Sequence, residues 1–302
     1  MMTAHQGPQA GEKIYIIDAT GMVHRLFHAV PIESTRSLSC DQPLNALVGW
    51  VRFLRRLRAD GARYIVPVFD GQGRGWRTEL FSEYKADRKP TADDLLRQMP
   101  LVLELTAALR LPVACVPAVE ADDLVASYVE AAVAIDLDVT IISNDKDLMQ
   151  LVREGDRGSV RQLVPGKDGG EFGPAEVRAK FGVGPERLGD LLALAGDKSD
   201  AIPGVPGIGK AKARQLLDQH GDLATMLADW AFIQPSRVGD LIHRHEKNIR
   251  LWRRLVGLAS DTPLPIPLHE LAPWKPSKAA LDEFFSRFGF HRWEVAVNRY
   301  EE

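Results

Sequence analysis

The sequence predicts an α/β fold, a mainly parallel sheet flanked by helices, joined to a helical second region. Two observations, joined by one rule, carry that prediction. Short β-rich runs, each closing on an acid, alternate with stretches of helical period through the first half of the chain. Strand-then-helix alternation builds parallel sheets with helices on their faces. After about residue 172 the strand signal fades, and short helical stretches broken by Gly and Pro take over.

In chain order, residues 1–12 read as a disordered tail without the apolar centre of a signal peptide. The first strand is KIYIIDAT, ending at Asp18, and LNALVGWVRFLRRLRAD follows it with helical period. YIVPVFDG is the second strand, ending at Asp70. The basic stretch WRTELFSEYKADR and the helix ADDLLRQMPLVLELTAALR come next. LPVACVPAVEADD reads as a third strand closing on Glu120, Asp122 and Asp123, and LDVTIISNDKD as a fourth closing on Asp145 and Asp147. This places a sheet domain over 13–172 and a helical domain over 173–302, with FFSRFGFHRWEVAV as its last packed segment.

Composition narrows the function classes. At 302 residues the chain suffices for two ordinary domains, and 45% hydrophobic with 26% charged residues is usual for a globular protein. No apolar run approaches the ~20 residues that span a bilayer, so the expected location is the cytoplasm and no membrane partner is expected. Cys40 and Cys115 lie far apart in apolar contexts and read as buried free thiols. A net charge of -3 neither favours nor excludes nucleic acid, but the distribution is uneven: Arg237–Arg254 holds eight Lys, Arg or His against two acids.

Ligands of parallel α/β sheets bind beyond the carboxyl ends of the strands, where these acids converge. Two carboxylates ~4 Å apart at an effective dielectric of ~20 repel by about 4 kcal/mol, enough to move one pKa by about three units. A protein that gathers seven must bind cations or keep several protonated. Asp197 and Asp200 in GDKSD bring the set to nine. Oxygen donors without His or Cys favour Mg2+ or Mn2+, and two such ions are the recurring solution for phosphodiester hydrolysis. The turn VPGIG, followed by KAKARQLL, fits the other half of that chemistry. Gly204, Gly207 and Gly209 permit close backbone approach, the next helix offers free N–H groups, and Lys210, Lys212 and Arg214 add attraction for phosphates. His24 and His28 are four apart but lack a third ligand, and the stripe Trp76, Leu80, Phe81, Tyr84 suits packing as well as base stacking.

IIDAT, VFDG, WRTELFSEYKADR, VEADD, NDKD and GDKSDAIPGVPGIG, in this order, resemble the 5'-nuclease (flap endonuclease) superfamily, in the bacterial form that precedes a polymerase. The likeness runs from about Lys13 to the FHRWEV segment; no polymerase follows, and a stand-alone chain is expected. It implies a PIN-like catalytic domain with a helical arch and a helix-three-turn-helix domain, with a potassium ion held by backbone carbonyls of the 203–209 turn. It implies a first metal at Asp18, Asp70, Glu120 and Asp122, and a second at Asp123, Asp145, Asp147 and Asp200, with Asp197 nearby. Arg25, Lys85 and Arg88 match its catalytic basic positions and Arg77 a DNA-contacting one. The implied partner is DNA with a 5' single-stranded end or flap, RNA-primed strands included, bound by a monomer. Ala19, Asn144 and Ala201 depart from the pattern, and Ala201 removes a side-chain hydrogen bond near the turn. Two rivals remain. A haloacid-dehalogenase-like phosphatase needs an Asp two residues after Asp18, where Thr20 stands, and a non-catalytic DNA-junction module predicts missing carboxylates, of which none is missing.

Overall fold

The computed structural model describes residues 7–32, 35–156, 158–167, 169–292 and 294. β1 (Lys13–Asp18), β2 (Tyr64–Val68), β3 (Asp138–Ile142), β4 (Val160–Val164) and β5 (Gly170–Phe172) form one sheet in the order β2-β1-β3-β4-β5. The first four run parallel, and β5 closes the far edge antiparallel. β1 is apolar nearly throughout because both its faces are covered, as a parallel sheet requires. Ile17 enters a core with α1 (Ala19–Ala29), α2 (Asn45–Ala59) and, past the short α3 (Trp76–Leu80), α4 (Asp93–Ala108). Ile14 and Ile16 point the other way, against α5 (Ala121–Val133).

The second core is mainly helical, built chiefly by α6 (Pro174–Phe181), α7 (Pro185–Ala195), α8 (Lys210–His220), α9 (Leu223–Ala228), α10 (Ser236–Arg244) and α11 (Glu246–Val256). Prolines open α6 and α7, where a missing N–H costs nothing, and Gly182 ends α6 in the left-handed conformation at φ +76°.

Several sequence expectations change here. The helical domain does not keep the chain to its end. Leu268 and Leu271 join the α5 core, while Trp274, Phe288 and α12 (Lys278–Ser286) join the α4 core, so the chain returns to the sheet. Trp293 and residues 295–297 of the last packed segment lie outside the described residues, as do residues 298–302. The third strand is reduced to one bridge between Ala114 and Val68, since Pro112 and Pro117 flank it and proline gives no N–H to a ladder. β4 and β5 escaped notice because RQ interrupts one and the other is three residues long. Residues 7–12 are anchored, with Gly7 and Pro8 buried and the Gly11 N–H donating to the Asp136 carbonyl at 2.8 Å, while residues 1–6 lie outside the described ones. Cys40 is exposed rather than buried. The expected arch is α3, a run of turns over 82–87 and an extended stretch to α4.

Candidate metal centre and nucleic-acid interface

Register brings the acids together. Asp18 pairs in line with Val68, and Ile17 with Ile142, so β1, β2 and β3 end at one level. The Asp18 carboxylate accepts the Gly21 N–H at 2.9 Å, which caps α1, and the Ser143 hydroxyl at 2.7 Å. Asp70, two residues past β2, accepts the Ala121 N–H that opens α5 at 2.7 Å, while its own N–H donates to Thr20 Oγ1 at 2.9 Å. Asp145 accepts the Asp147 N–H at 2.9 Å. Asp18, Asp70, Asp122 and Asp145 thus line one cleft of about 600 Å3, together with His24, Lys85, Arg88 and Lys89.

Close carboxylates in a desolvated place resist ionisation. Burial, with Asp70 and Asp145 adding repulsion, pushes Asp18 up to about 6. Burial and then Asp145, Asp18 and Asp70 hold Asp122 well above the usual carboxylate range. Burial also lowers the pKa of His24, against the opposing charge of Asp70.

Beside this cleft, Asp147, Asp197 and Asp200 are all buried, with carboxylate oxygens within 4.8 Å of one another. Asp197 caps the short turn Lys198–Asp200, and its Oδ1 accepts the Ser199 N–H at 3.1 Å. Burial, then Asp145, pushes Asp147 up to about 7. Its Oδ1 is buried without a hydrogen-bond partner. The Lys146 ammonium lies 3.4 Å from that oxygen and 2.6 Å from Asp197 Oδ2, a cation resting where the acids need one. An orphaned buried oxygen in an all-carboxylate set fits a hard divalent ion. The two acidic groups meet at Asp145, which acts on Asp18, Asp122 and Asp147 alike.

Lys85 and Arg88 bridge them. Lys85 stands at φ +57°, its ammonium paired with Glu120 and its N–H donating to the Asp200 carbonyl at 3.1 Å. A non-glycine residue in that region is held there by its surroundings. Arg88 donates to Asp200 Oδ1 at 3.0 Å, and the Tyr84 hydroxyl to Asp200 Oδ2 at 3.3 Å.

Other expected site residues stand elsewhere. Asp123, expected at the second metal, is 2% exposed and turned away from the cleft into hydrogen bonds with Arg77 and Trp76. Arg77, expected on DNA, is 3% exposed and has no open side for a ligand. Glu120 does not line the cleft but accepts from Arg77 at 3.2 Å and from Lys85. Arg25 is exposed and does not line the cleft either; it lies beside the β4–β5 turn, where a Cβ at Gly166 would fall 2.1 Å from its guanidinium. In the glycine turn, Gly204 at φ +71° is packed so tightly that a Cβ would sit 2.3 Å from the Gly196 nitrogen, which makes it a packing residue. Gly207 and Gly209 face open space, and Lys210, at the start of α8, is exposed beside them, with Lys212 half-buried two residues on. His24 and His28 gain no third ligand; among the described residues, the group of three whose ligand atoms already lie within 4.8 Å of one another is the acidic triad.

The sequence matches the 5'-3' exonuclease N-terminal resolvase-like domain over residues 13–182 and the 5'-3' exonuclease C-terminal SAM fold over 183–279. The chain belongs to the 5'-3' exonuclease family. Within this family it is 36% identical over 275 residues to the DNA polymerase I of Rhizobium leguminosarum, covering 88% of this chain and 26% of that protein. With the DNA polymerase I of Pseudomonas aeruginosa it shares 34% over 293 residues, 93% of this chain and 31% of that one. The exonuclease-family chain thus spans about a quarter to a third of the length of these curated relatives. In fold it resembles the bacteriophage T5 5'-exonuclease, solved with divalent zinc, at TM-score 0.68 and 20% identity, covering 94% of this chain and all of that one. The catalytic core of Rad2, solved with a DNA substrate, gives 0.62 at 14% identity, with 98% and 95% covered.

Sequence reasoning missed three residues of this cleft and its neighbouring acidic triad, and weighed a fourth, His24, only as a zinc ligand. Ser143 and Lys146 stand in and beside the NDKD run, where attention to acids passed over the groups that bind them. Thr20 and His24, four apart on α1, carried a legible signal, since that spacing turns both toward one side.

Proposed function

We propose that this chain is a structure-specific, metal-dependent 5' nuclease that hydrolyses DNA phosphodiester bonds where a 5' single strand meets duplex, as exonuclease, flap endonuclease or both. The observation that carries this reading is the single cleft in which Asp18, Asp70, Asp122 and Asp145 meet beneath Lys85 and Arg88. Asp18, Asp70 and Asp122 would hold one Mg2+ or Mn2+, joined by Glu120 once Lys85 turns to substrate. Asp145, Asp147 and Asp200, with Asp197, would hold the other. Bound there, such ions would lower the pKa of an attacking water and neutralise charge on the phosphate.

The chain's own groups do the rest. Lys85 and Arg88 offset the negative charge of a strand drawn past the acids. Arg25 meets the strand farther out, beside the β4–β5 turn. Gly207 and Gly209 leave backbone N–H groups open to a duplex phosphate, Lys210 and Lys212 add positive charge, and carbonyls of the 203–209 turn would hold K+. The partner is DNA with a 5' end or flap, RNA-primed strands included, bound by a monomer in the cytoplasm. No helix among the described residues is long and apolar enough to cross a membrane.

A 5'-labelled flap duplex tests this, incubated with Mg2+ and then with EDTA, for the intact protein and for Asp145→Ala. Short labelled products are expected only from intact protein with metal, and the variant is expected to retain binding. Equal cutting by the variant, or cutting in EDTA, would sink the assignment. Hydrolysis of a small phosphate monoester with none of DNA would choose the phosphatase instead.

A further inference from the structure

We propose that Arg77 is a positioning residue that, with Asp123, fixes the crossing segment carrying Lys85 against α5 and the end of α11, touching neither DNA nor metal. The catalytic part of this inference rests on the nuclease reading; the structural part does not.

A guanidinium carries five N–H donors, and those of Arg77 are all in use. Nε donates to the Leu255 carbonyl at 2.8 Å, and Nη2 to the Gly257 carbonyl at 2.6 Å and Asp123 Oδ1 at 2.6 Å. Nη1 donates to Asp123 Oδ2 at 2.8 Å and Glu120 Oε1 at 3.2 Å. Asp123 is equally saturated. Its Oδ1 also accepts the Ala259 N–H at 3.0 Å, and its Oδ2 the Trp76 indole N–H at 2.9 Å. A carboxylate whose acceptor sites are filled by four donors has none left for an ion, and a guanidinium without a free N–H has none for a phosphate. Both side chains are 3% exposed.

Three segments meet at this pair: α3, the start of α5, and the exit of the helical domain at Leu255–Ala259. The Trp76 ring reinforces the joint, with the Arg77 and Arg254 guanidinium carbons 4.4 and 5.6 Å from its centre. The line from Arg77 to the chemistry is short. Glu120 takes Arg77 on one oxygen and Lys85 on the other, so the fork that holds Glu120 also sets where the Lys85 ammonium stands.

Removing one partner leaves a buried charge unpaired and endangers the fold, so the informative variant is the double Arg77→Met/Asp123→Leu, which deletes both charges at similar volume. Arg77→Lys and Asp123→Asn are made beside it, so that a folded variant is in hand even if the double one fails. Four readouts separate the outcomes: thermal melting, flap-duplex binding in EDTA, turnover against Mg2+ concentration, and amide exchange over 82–88. A folded variant is expected to bind the duplex within about threefold of the parent, and Asp123→Asn, which keeps Arg77 beside Glu120, to need the same Mg2+ for half-activity. Its 82–88 amides exchange about tenfold faster, and kcat falls about tenfold to a hundredfold. Unchanged exchange overturns the proposal even if the parent cuts no DNA, a result that would count against the nuclease reading alone. Weakened duplex binding would make Arg77 a DNA contact, and a raised Mg2+ requirement in Asp123→Asn, which keeps Arg77 beside Glu120, would make Asp123 a metal ligand; either result ends the proposal.

Discussion

Ala201 shows what a single departure from pattern costs. The sequence marks it as a lost side-chain hydrogen bond, and the backbone adds a second effect, for Ala201 caps the turn carrying Asp200 at φ +58°. A Cβ in the left-handed region costs about 1 kcal/mol or more, a strain that glycine escapes. Ala201→Gly is therefore expected to stabilise the protein by about 0.5–1 kcal/mol after glycine's own entropy is counted. A calorimetric scan should show the melting temperature rising by roughly 2–4 °C per kcal/mol gained. A fall would mean that the methyl packs against something worth more than the strain. Asn144, another departure, carries no positive φ, so a change there to glycine relieves no strain and should cost about 0.5–1 kcal/mol in entropy.

At the scale of elements, α12 decides where the chain's stability is shared. Phe285 is fully buried and stands in the core of α1, α2 and α4, not in the helical core. Truncating such a side chain removes its transfer energy and leaves a cavity, so Phe285→Ala should cost about 3–5 kcal/mol. Hydrogen exchange should locate the loss in β1 and α4, with α7 and α8 protected as before; faster exchange in α7 instead would place α12 with the wrong domain. This placement was not legible in the sequence, because an amphipathic period reveals that a helix has a buried face and not what buries it. β1, β2 and β3 were legible for the opposite reason. Each is a dense β-branched run with an acid at its end or within three residues of it, so one pattern carried both strand and site. The acids themselves differ in how far spacing could take them. Asp18, Asp70 and Asp145 follow directly from strand ends, whereas VEADD holds three acids at a helix start, and only the turn of α5 sends Asp122 to the cleft and Asp123 away from it. Arg77 hid in the same manner: a basic residue in a basic stretch reads as a surface contact until its partner is placed.

Across the whole molecule, two domains and five strand or helix ends converge on charges that repel one another, and that frustration has a measurable pH dependence. Burial and mutual repulsion raise Asp18 to about 6 and Asp147 to about 7 in the folded protein, above the ordinary carboxylate value. A group whose pKa rises on folding binds its proton more tightly when native, so its contribution to stability is complete below the unfolded pKa of ~4 and is lost as pH climbs through the folded values. In EDTA the melting temperature should therefore fall between about pH 5 and pH 8 on account of these acids. A divalent ion reverses the trend, since it competes with protons for the same oxygens and gains as they leave. Occupancy at a hundredfold excess over the dissociation constant stabilises by about 2.7 kcal/mol, or roughly 5–10 °C for a domain of this size. The difference between scans in Mg2+ and in EDTA is expected to be small at pH 5.5 and of that size at pH 8, and Asp147→Asn should shrink it at pH 8 while raising the EDTA melting temperature. A shift of equal size at both pH values would mean that the ion sits away from these carboxylates, and that Lys146 rather than a divalent cation is the counter-charge this cluster was built around.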